Sequence, residues 1–245
     1  MNGRFRIVAL WCWYRGARFH GYQRQQAEPT VQGTLLDAFA SAGLTRNPVV
    51  AGRTDRGVSA RMQVLSARLE REVTTEAVRD RLNARLPGDL GIHLVREAKP
   101  GFHAAWSSVS KEYRYQLAPP DFGDRAVLAE VLALIPGKHN FNAFHFKTSA
   151  EQPRTVTSAE LIGDELRFIG EGFARHMVRM LVGAATAVAR GELTIDTFRA
   201  GLREQRNFHC PTAAPEPLTL WSIGYPPDVD PFSAEDRAGF SLPSS

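Results

Sequence analysis

Strand-like and helix-like segments follow one another twice along this chain in the same order, and no other feature limits its fold as tightly. Residues 5–14 (FRIVALWCWY) are dense in Ile, Val, Trp and Tyr and predict a strand. Thr30 stands where a helix cap belongs, ahead of Val31, Leu35, Phe39 and Ala42 on one face of a helix over 31–42. A short apolar run at 48–51 follows, then an alternating strand at 62–69. Thr74 or Thr75 caps a helix that reaches residue 86 and stops at Pro87-Gly88, and 92–95 make another strand. The order then begins again. A strand over 109–117 leads to a helix over 125–135, stopped by Pro136-Gly137. A hairpin of 155–161 and 166–170 turns at Gly163-Asp164. An apolar helix over 175–190, a second helix over 194–206 and a strand over 218–225 complete the run. Each half reads in outline as βαββαβ, without a residue-level repeat. The expected fold class is α+β, with two ferredoxin-like halves over 1–100 and 101–228, sheets side by side around a central cleft. Residues 229–245, with Pro, Ser, Asp and Gly, are expected to form a loose tail.

The chain of 245 residues is 43% hydrophobic, enough to bury a core. No apolar run has the length of a membrane span, and the start has no apolar stretch with a cleavage site behind it. Neither a membrane segment nor a leader is therefore expected. Cys12 and Cys210 are too few for a disulfide framework or a cysteine zinc site, so a reducing cytoplasm is the expected setting. His20, His103, His139, His145 and His176 fall into no metal-ligand spacing, so no metal is expected. The net charge is +4, and Lys99, Lys111, Lys138 and Lys147 are the only lysines, leaving arginine as 26 of the 30 basic residues. Arginine grips phosphate with two donors and stacks on bases. Arginine-rich codon usage explains the same excess equally well.

The most informative stretch runs Gly52-Arg53-Thr54-Asp55-Arg56-Gly57-Val58-Ser59 between two predicted strands. Two glycines bracket a polar turn in which arginines flank one carboxylate. Positive neighbours favour the ionised carboxylate, the form needed for covalent attack on a sugar or base. By itself the motif is short, and a turn with a surface ion pair accounts for it as well.

GRTDxGV resembles the catalytic signature of the TruA-type tRNA pseudouridine synthases. The usual form continues Ala-Gly-Val-His, where this chain has Arg56 and Ser59. The resemblance extends in order from residue 5 to about 226. It takes in Tyr14-Arg15-Gly16, Phe19-His20-Gly21-Tyr22-Gln23-Arg24-Gln25 and Thr30-Val31-Gln32-Gly33. It continues through Phe102-His103-Ala104, Lys111-Glu112-Tyr113-Arg114-Tyr115, Gly137-Lys138-His139-Asn140-Phe141 and Phe173-Ala174-Arg175-His176-Met177-Val178-Arg179. Tyr22 stands where the family usually has Trp, Pro217 replaces a glycine, and the stretch from Tyr115 to Gly137 is short.

The resemblance implies an isomerase that needs no cofactor. It would detach uracil from its ribose, rotate it and rejoin it through C5, in the anticodon stem-loop of tRNA at uridines 38, 39 and 40. Asp55 is then the nucleophile, attacking C1′ or assisting a glycal route. Arg179 is its expected partner, and Arg175 shares the helix face four residues away. Tyr113 is expected to stack on the flipped uracil. Arg53 is expected to fill the space the base leaves or to hold a phosphate. Arg24, Arg56, Lys111 and Arg114 are weaker candidates for contacts to the RNA backbone, and Gln23 and Gln25 are candidates to line the RNA path. The resemblance also implies a homodimer spanned by one RNA in the central cleft. Two rivals remain at this stage: a synthase of the same fold acting at other RNA positions, and a catalytically idle RNA-binding protein.

Overall fold

The structure is a computed structural model and describes residues 5–44, 47–119, 121–146, 153–203 and 209–243. It is of the α+β class and divides into two compact units: Met1–Val109 with Leu220–Ser245, and Ser110–Thr219.

In the first unit, β1 (Phe5–Tyr14) pairs antiparallel with β3 (Ser59–Glu70) on one side and β4 (Leu90–Glu97) on the other. The short β2 (Val49–Val50) pairs with β3. The closing strand β9 (Leu218–Gly224) begins in the second unit and ends in the first, giving the order β4-β1-β3-β9. Helix α1 (Val31–Ser41) starts where expected: the Thr30 hydroxyl accepts from the Gly33 amide, so an otherwise orphaned donor is satisfied. Val31, Leu35, Ala38 and Phe39 form its buried stripe, and Ala42 lies just past its end. Thr74, rather than Thr75, caps α2 (Thr75–Asn83), which packs on β4 and ends three residues before the expected 86. Asn83 then turns its amide onto both backbone groups of Ile92, binding helix end to strand.

The segment after Pro226 was expected to be loose and instead is folded onto this unit. Phe232 is buried, and α6 (Ala234–Ala238) opens with a reciprocal capping box between Ser233 and Asp236. Asp236 pairs with Arg96 at 2.6 Å, and Asp230 with Arg237 at 2.7 Å. Arg61, itself buried, donates to the carbonyls of Arg237 and Phe240 and lies over the rings of Trp221, Trp11 and Phe240. The cause lies in β1, where every residue from Val8 to Cys12 is fully buried. A strand apolar on both faces needs two covers. Phe232 and Phe240 meet the Trp11 ring edge-on and supply part of one.

In the second unit β5 (Ser110–Gln116), β8 (Glu165–Gly170), β7 (Arg154–Ile162) and β6 (Gly137–His139) lie in that order, each adjacent pair antiparallel. The hairpin of β7 and β8 turns at Gly163-Asp164 as expected, whereas β6, three residues long, carries no alternation to announce it. Asp124 caps α3 (Arg125–Leu132) with its carboxylate on the amides of Ala126 and Val127. Helix α4 (Met177–Ala189) is buried nearly all round and packs on α3 and α5 (Ile195–Arg203). The part of the expected second helix beyond Arg203, from 204 to 206, lies outside the described residues. Among the described residues no helix is long and apolar enough to cross a membrane.

Candidate active site

In the first unit the candidate carboxylate sits on the loop between β2 and β3, and the loop is tied down on both sides of it. The Thr54 hydroxyl meets the Tyr14 hydroxyl at 2.8 Å, and the Thr54 carbonyl accepts the Tyr22 amide at 3.1 Å. Gln63, with no exposed surface, donates from Nε2 to the Gly52 carbonyl at 2.7 Å and to the Tyr14 hydroxyl at 3.3 Å. The Asp55 carbonyl closes a turn on the Val58 amide. Asp55 itself is partly exposed, between the exposed Arg53 and Arg56. Buried hydrogen-bonded groups thus flank an accessible acid.

Two further loops converge on this one. The Gly16 amide donates to the Ser59 hydroxyl at 3.0 Å, and a Cβ at Gly16 would lie 2.3 Å from the Gly57 carbonyl oxygen, so only glycine permits the approach. Ser59, one of the departures from the usual signature, therefore has a structural use. The loop ahead of α1 joins through Tyr22, whose buried ring has its hydroxyl pushed well above the ordinary range by burial. Gln23 and Arg24 follow Tyr22 on that loop and are exposed, with the Arg24 amide held by Gln32. Arg53, Asp55, Arg56, Gln23 and Arg24 are thus on two loops joined by the Tyr22–Thr54 hydrogen bond.

Tyr14, Thr54 and Gln63 carry this arrangement, and the sequence reading did not single them out as a set. Gln63 was the available signal: an amide inside a strand that is buried along its length must have partners. Gln63→Leu is expected to leave the Gly52 carbonyl buried without its donor. The loss should be about 1–3 kcal/mol, read as a thermal midpoint lower by about 5 °C. Hydrogen exchange should accelerate around residues 51–57. An unchanged midpoint and unchanged exchange would show that Gln63 does not hold the loop.

In the second unit, Tyr113 and Tyr115 are buried on one face of β5, as their alternation requires. The Tyr113 ring meets Phe173 edge-on at 5.3 Å. Burial raises the Tyr115 hydroxyl above its ordinary value, and Asp121 adds to this while Arg179 opposes it. Burial also lowers the Lys111 ammonium, with the charge of Arg154 second. On the opposite face Glu112 holds Arg114 at 2.7 Å and Arg167 at 2.9 Å, and Glu165 holds Arg114 at 3.3 Å. Arg114 therefore belongs to a network that knits β5 to β8.

Arg179 lies in the first turns of α4 and is half-buried. Its Nε donates to the Ala213 carbonyl at 2.8 Å while the Ala213 amide donates back to the Arg179 carbonyl at 3.0 Å. The chain passes this close to α4 because Gly183 has no side chain: a Cβ there would lie 2.3 Å from the Pro211 oxygen. The clamp fixes the plane of the guanidinium. Arg175 does not share a helix face with Arg179. The helix begins at Met177, and His176 before it is left-handed with φ 62°, so the four-residue spacing does not apply. Arg175 is exposed on the preceding loop. Among the described residues no group of three or more His, Cys, Asp or Glu is arranged to hold a metal ion.

Comparison with known proteins finds a matching family and many relatives. A family described as tRNA pseudouridine synthase matches residues 132–226. The protein named tRNA pseudouridine synthase A from Chloroflexus aurantiacus is 36% identical over 251 aligned residues, spanning 91% of this chain and 90% of its own. Those of the same name from Geobacillus kaustophilus and Methanothrix thermoacetophila are 35% and 34% identical, over 86% and 89% of this chain and 92% and 83% of theirs.

Proposed function

The chain belongs to the tRNA pseudouridine synthase family, an isomerase family, and from that premise we propose that it converts uridine to pseudouridine in the anticodon stem-loop of tRNA, at positions 38, 39 and 40, with Asp55 as the nucleophile. The observation that carries the residue assignment is the loop around Asp55. Its neighbours Gly52 and Thr54 are anchored by buried groups, and the carboxylate between the two arginines remains accessible. Such an anchored acid loses little orientational freedom on meeting its substrate, which is how positioning lowers a barrier.

The reaction balances within one nucleotide. The bond from C1′ to N1 breaks, a bond from C1′ to C5 forms, and the C5 proton leaves as N1 gains one. No electrons enter or leave, so the chain's own side chains suffice. Asp55 either attacks C1′ directly or assists a route through a glycal. Tyr113 stacks on the detached uracil and keeps water from it, a contact of about 1–3 kcal/mol per base. Arg179 supplies fixed positive charge for the developing anion. Arg53 compensates the extrusion of the base, and Arg24, Arg56, Arg175 and Gln23 contact the RNA beyond it. Recognition of such RNA rests on shape and phosphates more than on base sequence.

The same reading takes each half to be ferredoxin-like. The order β4-β1-β3 with β2 on β3, and the order β5-β8-β7, are what a βαββαβ chain gives in that fold. It also takes the active form to be a homodimer in the cytoplasm. The test is to incubate the purified chain with unmodified tRNA transcripts and map pseudouridine by position. Conversion at 38, 39 and 40 is the expected result. Conversion only outside the anticodon arm would sink the substrate assignment, and no conversion in any tRNA would sink the activity.

A further inference from the structure

We propose that Trp106, stacked on His103, is a platform on which an unpaired nucleobase of the bound RNA lies flat, a contact separate from the pocket for the reacting uridine. The proposal rests on the reading of the substrate as RNA. Trp106 is 86% exposed, far more than the other exposed large apolar side chains among the described residues. Exposure of a single apolar side chain is ordinary in itself; what distinguishes Trp106 is that so exposed a ring is also ordered.

The ring is held rather than loose. The His103 imidazole lies beneath it with centroids 4.0 Å apart and planes 9° from parallel. His103 is itself fixed, because its Nδ1 accepts the amides of Ala105 and Trp106 at 3.3 and 3.2 Å. The turn that carries both rings is anchored at Ala104, which is fully buried. The Ala104 amide donates to the Ser66 hydroxyl at 3.0 Å, and its carbonyl accepts the Tyr225 hydroxyl at 2.8 Å. Ser107 and Ser108 close the turn through the His103 amide and the Ala105 carbonyl. One indole face is therefore covered by a parallel ring, and the other is presented to solvent at a fixed angle.

A nucleobase fits that face better than a protein partner does. Protein hot spots set an aromatic anchor among other packed groups that exclude water. Here Ala105 precedes the ring and Ser107 and Ser108 follow it, all small side chains, so the available contact is one flat ring face. Every base has a π-face of matching size, and stacking is tolerant of sequence, as a site on a shape-recognised RNA requires. Because the ring is already ordered, stacking on it costs little side-chain entropy.

The experiment compares the wild-type chain with Trp106→Ala and Trp106→Phe, using an unmodified tRNA transcript as probe at several salt concentrations. Trp106→Ala should raise Kd about tenfold, and Trp106→Phe should recover it to within about threefold. The slope of log Kd against log salt should stay the same in all three, because a neutral ring releases no counterions. In turnover assays the loss should fall on KM rather than kcat. Wild-type affinity in Trp106→Ala overturns the platform and leaves the synthase reading intact. So does an affinity loss accompanied by a lower thermal midpoint, or a change in sedimentation that marks the ring as a contact between protein chains. A wild-type chain that binds tRNA without modifying it would overturn the activity alone, with the platform still decided by the Kd comparison. Failure of the wild-type chain to bind tRNA would overturn both.

Discussion

Replacing Asp55 with asparagine should abolish pseudouridine formation, with kcat falling by on the order of 10⁴-fold or more, the scale on which losing a nucleophile registers. The substitution keeps the size of the side chain and removes its charge. An amide neither attacks C1′ nor forms the covalent bond that divides the reaction into two easier steps. The backbone that carries residue 55 is held by other groups: the Tyr14 and Tyr22 contacts to Thr54, and the Gln63 amide on Gly52. The loop should therefore keep its shape, the thermal midpoint should stay within about 2 °C, and tRNA affinity should change by no more than about threefold. Asp55→Ala is the companion, since it removes the hydrogen-bonding capacity as well. The pattern expected of both variants is lost chemistry with retained binding. If instead either variant converted uridine at the wild-type rate, another group would be the nucleophile. If the wild-type chain were also inert while binding tRNA, the idle RNA-binding protein would be the better description.

Asp55 illustrates what a sequence discloses and what it withholds. The motif pointed to the residue through family resemblance, and neither charge nor spacing alone would have selected it over a surface ion pair. Local chemistry was legible wherever its cause lies within a few residues. Thr30 caps α1 because a hydroxyl reaches the amide three residues on, and Gly163-Asp164 turns a hairpin because the turn needs little beyond itself. The start of α4 was misplaced by two residues because neither Arg175 nor His176 is a residue type that breaks a helix, whereas the left-handed backbone at His176 does interrupt it. The strand β6 was missed because three residues cannot display alternation. The Tyr14–Thr54–Gln63 set joins residues up to 49 apart, and its members become a set only when β1 lies beside β3. Trp106 likewise looks like one more apolar residue until its exposure and its alignment with His103 are known.

Removing residues 229–245 is expected to destabilise the chain by about 3–5 kcal/mol, the cost of stripping a buried charge of its partners. At this chain length that corresponds to a midpoint lower by about 10 °C. The segment contributes Phe232 and Phe240 to the cover over Trp11, two carbonyls to the Arg61 guanidinium, and the carboxylate that meets Arg96. A low-hydrophobicity tail could do this because few of its residues carry the contact, and the demand for it comes from the other side. FRIVALWCWY is apolar at both odd and even positions, so a sheet containing it has no face fit for water. A coupling measurement separates this account from general loss of surface. Arg61→Met should cost about 2–3 kcal/mol in the full chain and far less after truncation, because the carbonyls it would forsake are already gone. Equal costs in the two backgrounds would show that Arg61 and the tail are independent. Acid should act in the same direction as truncation. Although burial opposes it, hydrogen bonds from Arg96 and Ser233 hold the Asp236 carboxyl below its ordinary value. Its contribution is therefore present at neutral pH and lost as pH falls through that lowered value, so the truncated chain should lose less stability on acidification than the full one.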